Sequence, residues 1–306
     1  MKAVVCTKYG PPEVLQLKET EKPAPKENEI CIKIFASSVT ASDCIIRGFK
    51  VPMRFWLPMA LAIGLKKPRK SILGMVFAGE VESVGANTQT FKKGDQVYGI
   101  DRFGFGSYAE YKCIREDGVL VKKSANAKYE EAAAIPFGGL LALHYLKKGN
   151  LQKGQKILVY GASGAVGTAA VQLARHLGAE VTGVCSTANL ELVKSLGAHT
   201  VIDYTKEDFT EKGELYDLIF NAVGKAKATL QCKNVLVPNG KQITVDDGSP
   251  PLRSEDLIWL NGLMEQGRIK AVIDRHYPLE QIVDAHSYVD KGHKKGNVII
   301  TVEHSH

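Results

Sequence analysis

The sequence predicts an α/β protein, with a doubly wound parallel sheet over residues 126–267 and a second, partly open β-barrel domain over residues 1–125 and 268–306. From about residue 155, β-rich runs alternate with helical patterns, which is typical of parallel strands joined by crossover helices. Short strands separated by Gly and Pro fill the first part, which is typical of antiparallel sheets. A length of 306 residues also favours two domains over one.

Five short β-rich runs predict the parallel sheet. They are KILVYG at 156–161, EVTGVC at 180–185, TVID at 200–203, DLIFNAVG at 217–224 and KQITV at 241–245. Between the first two runs, apolar residues recur with helical spacing at Val166, Ala170, Leu173, Ala174 and Leu177. This spacing puts them on one face of a helix, as packing against a sheet requires.

The β-barrel domain is predicted from short runs near both ends of the chain. Those of the first part are KAVVC, EICIKIFAS, AGEVESVG, DQVYGI and YAEYKCI. The last run, NVIITV, follows the second domain. We therefore expect the chain to return to its first domain after about residue 268.

Composition excludes several classes of function. The net charge is +7, but Lys and Arg are scattered, which favours a solvated surface over nucleic-acid binding. The six cysteines form no Cys-x-x-Cys pair, which argues against a disulfide framework and a structural zinc site and predicts a reducing, cytoplasmic location. No run approaches the roughly 18 apolar residues of a membrane span, and the first ten residues lack the apolar core of a signal peptide.

One apolar segment belongs to none of the predicted strands. Residues 55–65, FWLPMALAIGL, are followed by the basic residues Lys66, Lys67, Arg69 and Lys70. The segment is too short to span a membrane, and a membrane-surface helix is one interpretation. Because Pro58 and Gly64 interrupt the pattern, a buried or pocket-lining loop is the favoured prediction.

The strongest local signal is the run GASGAVG at 161–167, directly after a predicted strand and at the start of the amphipathic helix. A dinucleotide diphosphate needs a tight turn, free backbone N–H groups at a helix N-terminus and close packing of helix on strand. Gly161, Gly164 and Gly167 supply these features. A tight turn that binds nothing also uses glycine, but the strand–turn–helix setting favours a cofactor site.

The end of the second strand distinguishes the two nicotinamide cofactors. An acidic residue there would bind the ribose hydroxyls of NAD and repel the extra phosphate of NADP. The chain instead reads Cys185, Ser186, Thr187, Ala188, Asn189, without Asp or Glu. Since small hydroxyl and amide groups accommodate a phosphate, we expect NADPH to be preferred over NADH.

Several ordered segments together resemble the medium-chain dehydrogenase/reductase superfamily over nearly the whole chain. They are KAVVCTKYGPPEVL, ASSVTASDCIIRG, GMVFAGEVESVG, FKKGDQVYG, GSYAEY, GASGAVG, EEAAAIPFGGLLAL, YPLEQIVDAH and GHKKGNVII. The resemblance implies a GroES-like catalytic domain built from both termini, a Rossmann domain between them and an active site in the cleft between the two.

Zinc-dependent members of this superfamily use a cysteine and a His-Glu pair at positions that read Thr40 and Met75-Val76 here. Neither Thr40 nor Met75 suits a catalytic zinc ion, and the four-cysteine structural lobe is absent. The chain is therefore similar to the zinc-free quinone oxidoreductase branch, which includes zeta-crystallin-like proteins. This resemblance implies hydride transfer from NADPH to a quinone or an α,β-unsaturated carbonyl compound, with no metal.

Without a metal, hydrogen-bond donors must stabilise the developing negative charge on the acceptor. The resemblance implies that Thr40 and water near Asp43 are these donors, although Thr40 also suits an ordinary strand contact. It also implies contacts to three parts of the cofactor. Those to the diphosphate come from Ser163, Gly164, Ala165 and Val166. Those to the adenosine end come from Ser186, Thr187, Asn189 and Tyr204. Those around the nicotinamide come from Asn221, Ala222, Val223, Thr244 and Val245, and the segment around Lys295 and Asn297 is expected to close over the cofactor.

The chain departs from relatives after the fifth strand, where DDGSPPLRSEDL replaces a longer segment with another helix and strand. We therefore predict a shortened Rossmann sheet and an altered or lost family dimer. Two other functions stay open: an NADPH-binding protein without turnover, like the lens crystallins of this fold, and an alcohol dehydrogenase. The identity of a small electrophilic substrate does not follow from the sequence.

Overall fold

The computed structural model describes residues 1–50, 53–224, 232–248 and 250–304. Contacts between Cα atoms divide the chain into two compact units. The first comprises Met1–Pro136 and Ile273–His306, and the second comprises Phe137–Val272.

Within the described residues, the first unit contains nine strands and four helices. The strands are β1 Lys2–Cys6, β2 Leu15–Glu19, β3 Glu29–Val39, β4 Val76–Val84, β5 Gln96–Ile100, β6 Tyr111–Arg115, β7 Val119–Lys122, β13 Ile273–Pro278 and β14 Asn297–Thr301. The helices are α1 Ala41–Gly48, α2 Met53–Ile63, α3 Tyr129–Ala133 and α8 Ile282–Asp290. As predicted, the strands come from both ends of the chain.

A mixed sheet of seven strands organises the first unit, counted over the residues that the structure describes. Its order is β13-β14-β3-β4-β5-β7, with β6 also paired to β3. All pairs are antiparallel except β13 with β14. Alternate residues of β3 and β14, such as Ile32, Ile34 and Val298, lie in an apolar core with Ile282 and Ala285 of α8. This core fixes β3, whose end leads into α1.

The second unit contains five strands and four helices in the described part of the chain. The strands are β8 Lys156–Tyr160, β9 Glu180–Cys185, β10 Thr200–Asp203, β11 Tyr216–Asn221 and β12 Leu236–Thr244. The helices are α4 Pro136–Gly149, α5 Ala165–His176, α6 Leu190–Ser195 and α7 Ser254–Glu265. Every predicted run is therefore a strand or lies mainly within one.

The five strands form one parallel sheet in the order β10-β9-β8-β11-β12. The order reverses direction at β8, and ligands of such sheets bind where this reversal occurs, beyond the carboxyl ends of the strands. Helix α5, which follows β8, buries Val166, Ala170, Leu173 and Ala174, as its periodicity predicts. The GASGAVG turn therefore lies at the point of reversal.

The described part of this sheet has five strands. After β12 and α7, the next strand of the described chain is β13, which pairs with β14 of the first unit. Strand β12 itself starts at Leu236, earlier than the predicted run, because a bulge keeps it paired with β11. The register shifts between Tyr216 and Leu218, and the bulge includes Asn239 with a φ of +67°.

The prediction of a buried loop at residues 55–65 is wrong, because α2 continues through this segment. Pro58 lies inside the helix, which ends before Gly64, a glycine with a φ of +118°. Ala60 and Ile63 are buried, whereas Leu57 and Leu61 are exposed. Proline removes one backbone hydrogen bond but does not end this helix. In the described residues, no helix is long and apolar enough to cross a membrane.

Three strands were not predicted from the sequence. They are β2, β7 and β13, which lie at sheet edges. In β2 only Leu15 is buried, and β13 has no buried residue. Since one-sided burial produces the alternating pattern, strands without it are hard to recognise from sequence.

Candidate functional site

The turn between β8 and α5 depends on glycine at two positions. Gly161 has a φ of +78°, and a Cβ atom there would lie 2.3 Å from Val223 Cγ1. A Cβ atom on Gly167 would lie 2.1 Å from the carbonyl oxygen of Gly161. The absence of a Cβ atom at both positions lets the helix N-terminus lie close against the strand.

Gly164 is different, because a Cβ atom there would meet only the oxygen of Gly161, at 3.7 Å. Gly164 is the N-cap of α5 and has no side chain to cap the helix. The first N–H groups of a helix have no partner within it. The positive end of α5, at Ala165 and Val166, thus has the features that a diphosphate requires.

The carboxyl ends of β8, β11 and β12 meet beside this turn. Ala222 N donates to Tyr160 O at 2.9 Å, and Val245 N donates to Asn221 O at 3.1 Å. Asn221 Oδ1 accepts from Val223 N at 3.1 Å. The structure therefore brings Asn221, Val223 and Val245 to the same sheet edge as Gly161, and Thr244 is buried there at the end of β12.

A small polar cluster joins the turn to the end of β9. Asn189 Nδ2 donates to Ser163 Oγ at 3.2 Å and to Ser186 Oγ at 3.0 Å. Both serine oxygens therefore act as acceptors here, which leaves their own protons to donate elsewhere. Asn189 Oδ1 is buried and has no hydrogen-bond partner within the described structure. We refer to Ser163, Ser186 and Asn189 as the serine cluster.

Thr187 makes different contacts from those of the serine cluster. Its hydroxyl donates to Asp203 Oδ2 and lies 3.2 Å from Thr205 Oγ1. Asp203 is buried at the end of β10, and hydrogen bonds, first from Thr187 and then from Thr205, lower its pKa. This carboxylate was missed in the sequence analysis, although its place at the end of a parallel strand is a recognisable signal. Tyr204, next to Asp203, is half exposed and its ring centroid is 6.2 Å from that of Tyr160.

In the first unit, Thr40 and Asp43 form the capping box of α1. Thr40 Oγ1 donates to Asp43 Oδ2 at 2.6 Å and accepts from Asp43 N at 3.1 Å. Thr40 N also donates to Asp43 Oδ2, at 2.8 Å. Both side chains are buried, and the threonine proton is directed to the carboxylate. The structure thus pairs the two residues that the sequence analysis named as catalytic.

Burial raises the pKa of Asp43 to about 6, although the hydrogen bonds from the side chain and the backbone of Thr40 oppose the shift. Tyr108 is itself fully buried, and burial raises its pKa well above the ordinary value. Its ring packs edge-on against His286, with 5.5 Å between ring centroids. Gly74 permits this position, since a Cβ atom there would lie 2.6 Å from the Tyr108 ring. Tyr108 was not predicted as a residue of this site, because the GSYAEY motif carries no signal of its packing against His286.

The residues at the zinc-ligand positions do not fit a metal ion. Thr40 is engaged with Asp43, and Met75 is a buried thioether. Over the ranges that the structure describes, no group of three or more His, Cys, Asp or Glu side chains is placed to hold a metal. Lys295 and Asn297, the predicted closing segment, lie in the first unit at the start of β14, where Lys295 N donates to Asp274 Oδ2 at 2.9 Å.

Comparison with protein families matches both parts of the chain. A model described as "Alcohol dehydrogenase GroES-like domain" matches residues 26–124. Two models described as "Zinc-binding dehydrogenase" match residues 165–269 and 251–300. A GroES-like part and a Rossmann-like part in one chain define an oxidoreductase of the dehydrogenase class.

Individual relatives narrow this class. The chain is 34% identical to the 2-methylene-furan-3-one reductase of Solanum lycopersicum, over 98% of its own length and 79% of that protein's. It is 31% identical to the NADPH-dependent alkenal/one oxidoreductase, chloroplastic, of Arabidopsis thaliana, with the same coverage. The solved quinone oxidoreductase of Coxiella burnetii superposes with a TM-score of 0.88 at 28% identity, over 99% of both chains. The chain belongs to the medium-chain dehydrogenase/reductase superfamily.

Proposed function

We propose that the chain is an NADPH-dependent reductase that transfers hydride to quinones or α,β-unsaturated carbonyl compounds without a metal. The observation that carries this proposal is the unobstructed glycine turn at the reversal point of the sheet, next to the serine cluster. The names of the relatives favour this reaction over others of the superfamily.

The described residues fit a nicotinamide dinucleotide. The backbone of residues 163–166 would hold its diphosphate at the N-terminus of α5, and Tyr204 offers an exposed ring to its adenosine end. Asn221, Ala222, Val223, Thr244 and Val245 would hold the nicotinamide end, and the segment of Lys295 and Asn297 would cover the cofactor. When bound, the reduced cofactor supplies a hydride to the acceptor.

The serine cluster supports the preference for NADPH. Because Asn189 donates to both serine oxygens, Ser163 and Ser186 can each donate a proton to a phosphate oxygen. Thr187 contributes less to this site than its sequence position indicates, since its hydroxyl is bonded to Asp203. That hydrogen bond, with Lys206 Nζ 3.8 Å from the carboxylate, offsets part of the repulsion that Asp203 would exert on a phosphate.

The double variant Ser163→Ala/Ser186→Ala tests this preference. Loss of two charge-assisted hydrogen bonds, each contributing about 1.5 kcal/mol or more, should raise the Kd for NADPH by at least about a hundredfold. The Kd for NADH should change by less than about threefold, because that cofactor lacks the phosphate. Titration of both cofactors by fluorescence measures the two values. Equal losses for the two cofactors, or tighter NADH binding in the unmodified protein, would contradict the NADPH assignment.

We propose that Thr40, together with Asp43, donates a hydrogen bond to the negative charge that develops on the acceptor. With Asp43 ionised, the hydroxyl of Thr40 donates to it and has no proton for an acceptor. If Asp43 Oδ2 carries a proton, it can donate to Thr40 Oγ1, and the hydroxyl can then donate to a developing negative charge. A pKa of about 6 for Asp43 makes this protonated state accessible near neutral pH.

Thr40→Val should therefore lower kcat about tenfold or more and leave the Kd for NADPH within about twofold. Valine has a similar shape but no hydroxyl, so the proton path ends at Asp43. Thr40→Ser, which keeps the hydroxyl, is the matched control and should retain most of the activity. Steady-state kinetics and NADPH titration separate the two effects. An unchanged kcat in Thr40→Val would remove Thr40 from the mechanism.

The proposed reaction is tested directly by NADPH oxidation with a panel of quinones and enones, after dialysis against a strong chelator. We expect turnover that the chelator does not reduce, since Thr40 and Met75 do not suit a metal. Stoichiometric zinc in active protein would indicate an alcohol dehydrogenase instead. Tight NADPH binding without turnover on any acceptor would indicate a binding protein.

The remaining proposals concern assembly and location. We propose that the shortened sheet alters or removes the family dimer, and light scattering that shows a stable dimer would contradict this. We propose a reducing, cytoplasmic location, which is supported by six cysteines that are all free thiols. The proposed partner is a small electrophilic substrate.

A further inference from the structure

Two cysteines that are distant in the sequence face each other in the sheet of the first unit. Strands β3 and β6 are antiparallel, and their register places Cys31 directly opposite Cys113. The absence of a Cys-x-x-Cys pair in the sequence argued against a disulfide framework. The structure instead provides one cross-strand pair.

Hydrogen bonds on either side define the kind of position that this pair occupies. Ile34 N donates to Glu110 O at 2.8 Å, and Glu116 N donates to Asn28 O at 3.1 Å. Hydrogen-bonded pairs alternate with non-hydrogen-bonded pairs along an antiparallel ladder. Asn28, next to the start of β3, and Ile34, within it, are both even-numbered, so residue 31 lies in a non-hydrogen-bonded pair.

Such a position suits a disulfide bond. The Cα atoms of a non-hydrogen-bonded pair lie about 4.5 Å apart, and their side chains approach more closely than those of hydrogen-bonded pairs. Disulfides need Cα atoms about 4.4 to 6.8 Å apart. The two strands would therefore need little backbone movement to form the bond.

The surroundings favour Cys31 as the attacking thiol. The hydrogen bond from the Cys113 thiol lowers the pKa of Cys31, and the positive charge of Lys22 lowers it further, against the opposing effect of burial. Lys22 Nζ lies 3.9 Å from the ring centroid of Tyr111, a residue of β6, the strand that also carries Cys113. Cys31 is fully buried and Cys113 is half buried, so a small oxidant reaches the pair from the side of Cys113. The same hydrogen bond raises the pKa of Cys113.

The remaining cysteines lack these features. Burial raises the pKa of Cys6, Cys185 and Cys232 to about 11, which keeps their thiols protonated. Cys44 is buried beside the ring of His286, with 3.5 Å between Sγ and Nδ1, and burial raises its pKa also. Thiolate, not thiol, reacts with oxidants.

We propose that Cys31 and Cys113 are a redox modification site, which forms a reversible disulfide when the protein meets a peroxide. The Cys31 thiolate attacks one peroxide oxygen, an S–O bond forms, the O–O bond breaks, and hydroxide leaves. Cys113 then loses its proton and attacks the Cys31 sulfur, so that the S–S bond forms and the S–O bond breaks. Two thiols are oxidised to one disulfide, and hydrogen peroxide is reduced to two molecules of water.

The test is a peptide map of the full-length folded protein after treatment with hydrogen peroxide. Free thiols are blocked with N-ethylmaleimide, and the protein is digested with trypsin without reductant. Cys31 lies in the peptide ENEICIK and Cys113 in CIR, so their disulfide has a distinctive mass. We expect this cross-linked peptide to form first, titratable thiols to fall from six to four, and dithiothreitol to restore all six.

Two variants and one condition serve as controls. Cys6→Ser, which removes another cysteine of the first unit, should leave the cross-link unchanged. Cys113→Ser should prevent it and leave Cys31 as a sulfenic acid that dimedone traps. In denaturant, the preference for this pair should disappear, because the register is lost. If both peptides of the folded wild type are recovered with separately alkylated thiols, or if Cys31 pairs with another cysteine, the proposal is wrong.

Discussion

Gly167→Ala is expected to raise the Kd for NADPH by at least about a hundredfold. The added methyl group would lie 2.1 Å from the backbone oxygen of Gly161 and 2.8 Å from Ala162 Cα. Neither atom belongs to a flexible side chain, so α5 must move away from the turn. Such a shift would break about two charge-assisted hydrogen bonds from the N-terminus of α5 to the diphosphate, each contributing about 1.5 kcal/mol, which together correspond to about a hundredfold in Kd. Calorimetric titration of the purified variant measures the loss.

Two companion variants separate local displacement from general damage. Gly262→Ala adds a methyl group in open space on α7 and should leave NADPH binding unchanged. In Gly164→Ala the methyl group meets only the oxygen of Gly161, at an ordinary contact distance of 3.7 Å, so its free energy of unfolding should stay within about 1 kcal/mol of wild type. Its methyl group would, however, point where we propose the diphosphate lies, and the Kd should rise. Wild-type affinity in both Gly164→Ala and Gly167→Ala would contradict the proposed cofactor site.

Asp43→Asn is expected to flatten part of the pH dependence of stability. Burial raises the pKa of Asp43 from 3.8 to about 6 in the folded protein. Between these values the folded state holds a proton that the unfolded state has released, so stability falls as pH rises. This carboxyl should cost the wild type about 2 kcal/mol between about pH 4 and about pH 7.5. The variant cannot titrate there and should lack that loss.

Urea unfolding at a series of pH values measures this effect as the difference between wild type and variant. The comparison matters because His286 acts in the opposite direction. Burial lowers the pKa of His286 to about 3, so its contribution to stability is lost as pH falls below its ordinary value of 6.5. Both proteins share that effect. Asp117→Asn, at an exposed carboxyl, should leave the curve parallel to wild type, and a parallel curve for Asp43→Asn would refute the prediction.

The parts of the candidate site that follow one another along the chain were predictable. Gly161, Gly164 and Gly167 could be assigned because strand, turn and helix succeed each other in one short segment. The ends of β11 and β12 could be placed beside them because the carboxyl ends of parallel strands meet at one edge. The contacts of Thr187 could not be predicted, since its proximity to Asp203 depends on how β9 and β10 pair.

For α2, the prediction from the sequence was wrong. An apolar run interrupted by Pro58 and Gly64 predicts a buried loop, yet the residues form a helix with Leu57 and Leu61 exposed. Local composition reports how apolar a segment is, but it does not report which side of the segment the rest of the protein covers.

The fold class, the five-stranded parallel sheet and the glycine turn follow from the amino-acid pattern alone, because burial repeats every two residues in a strand and about every 3.6 in a helix. Packing in three dimensions was needed to show that Tyr108 lies against His286, that Thr187 donates to Asp203 and that Cys31 faces Cys113. Each of these contacts joins residues on different elements. Their partners are set by strand register and packing, which no short stretch of sequence contains.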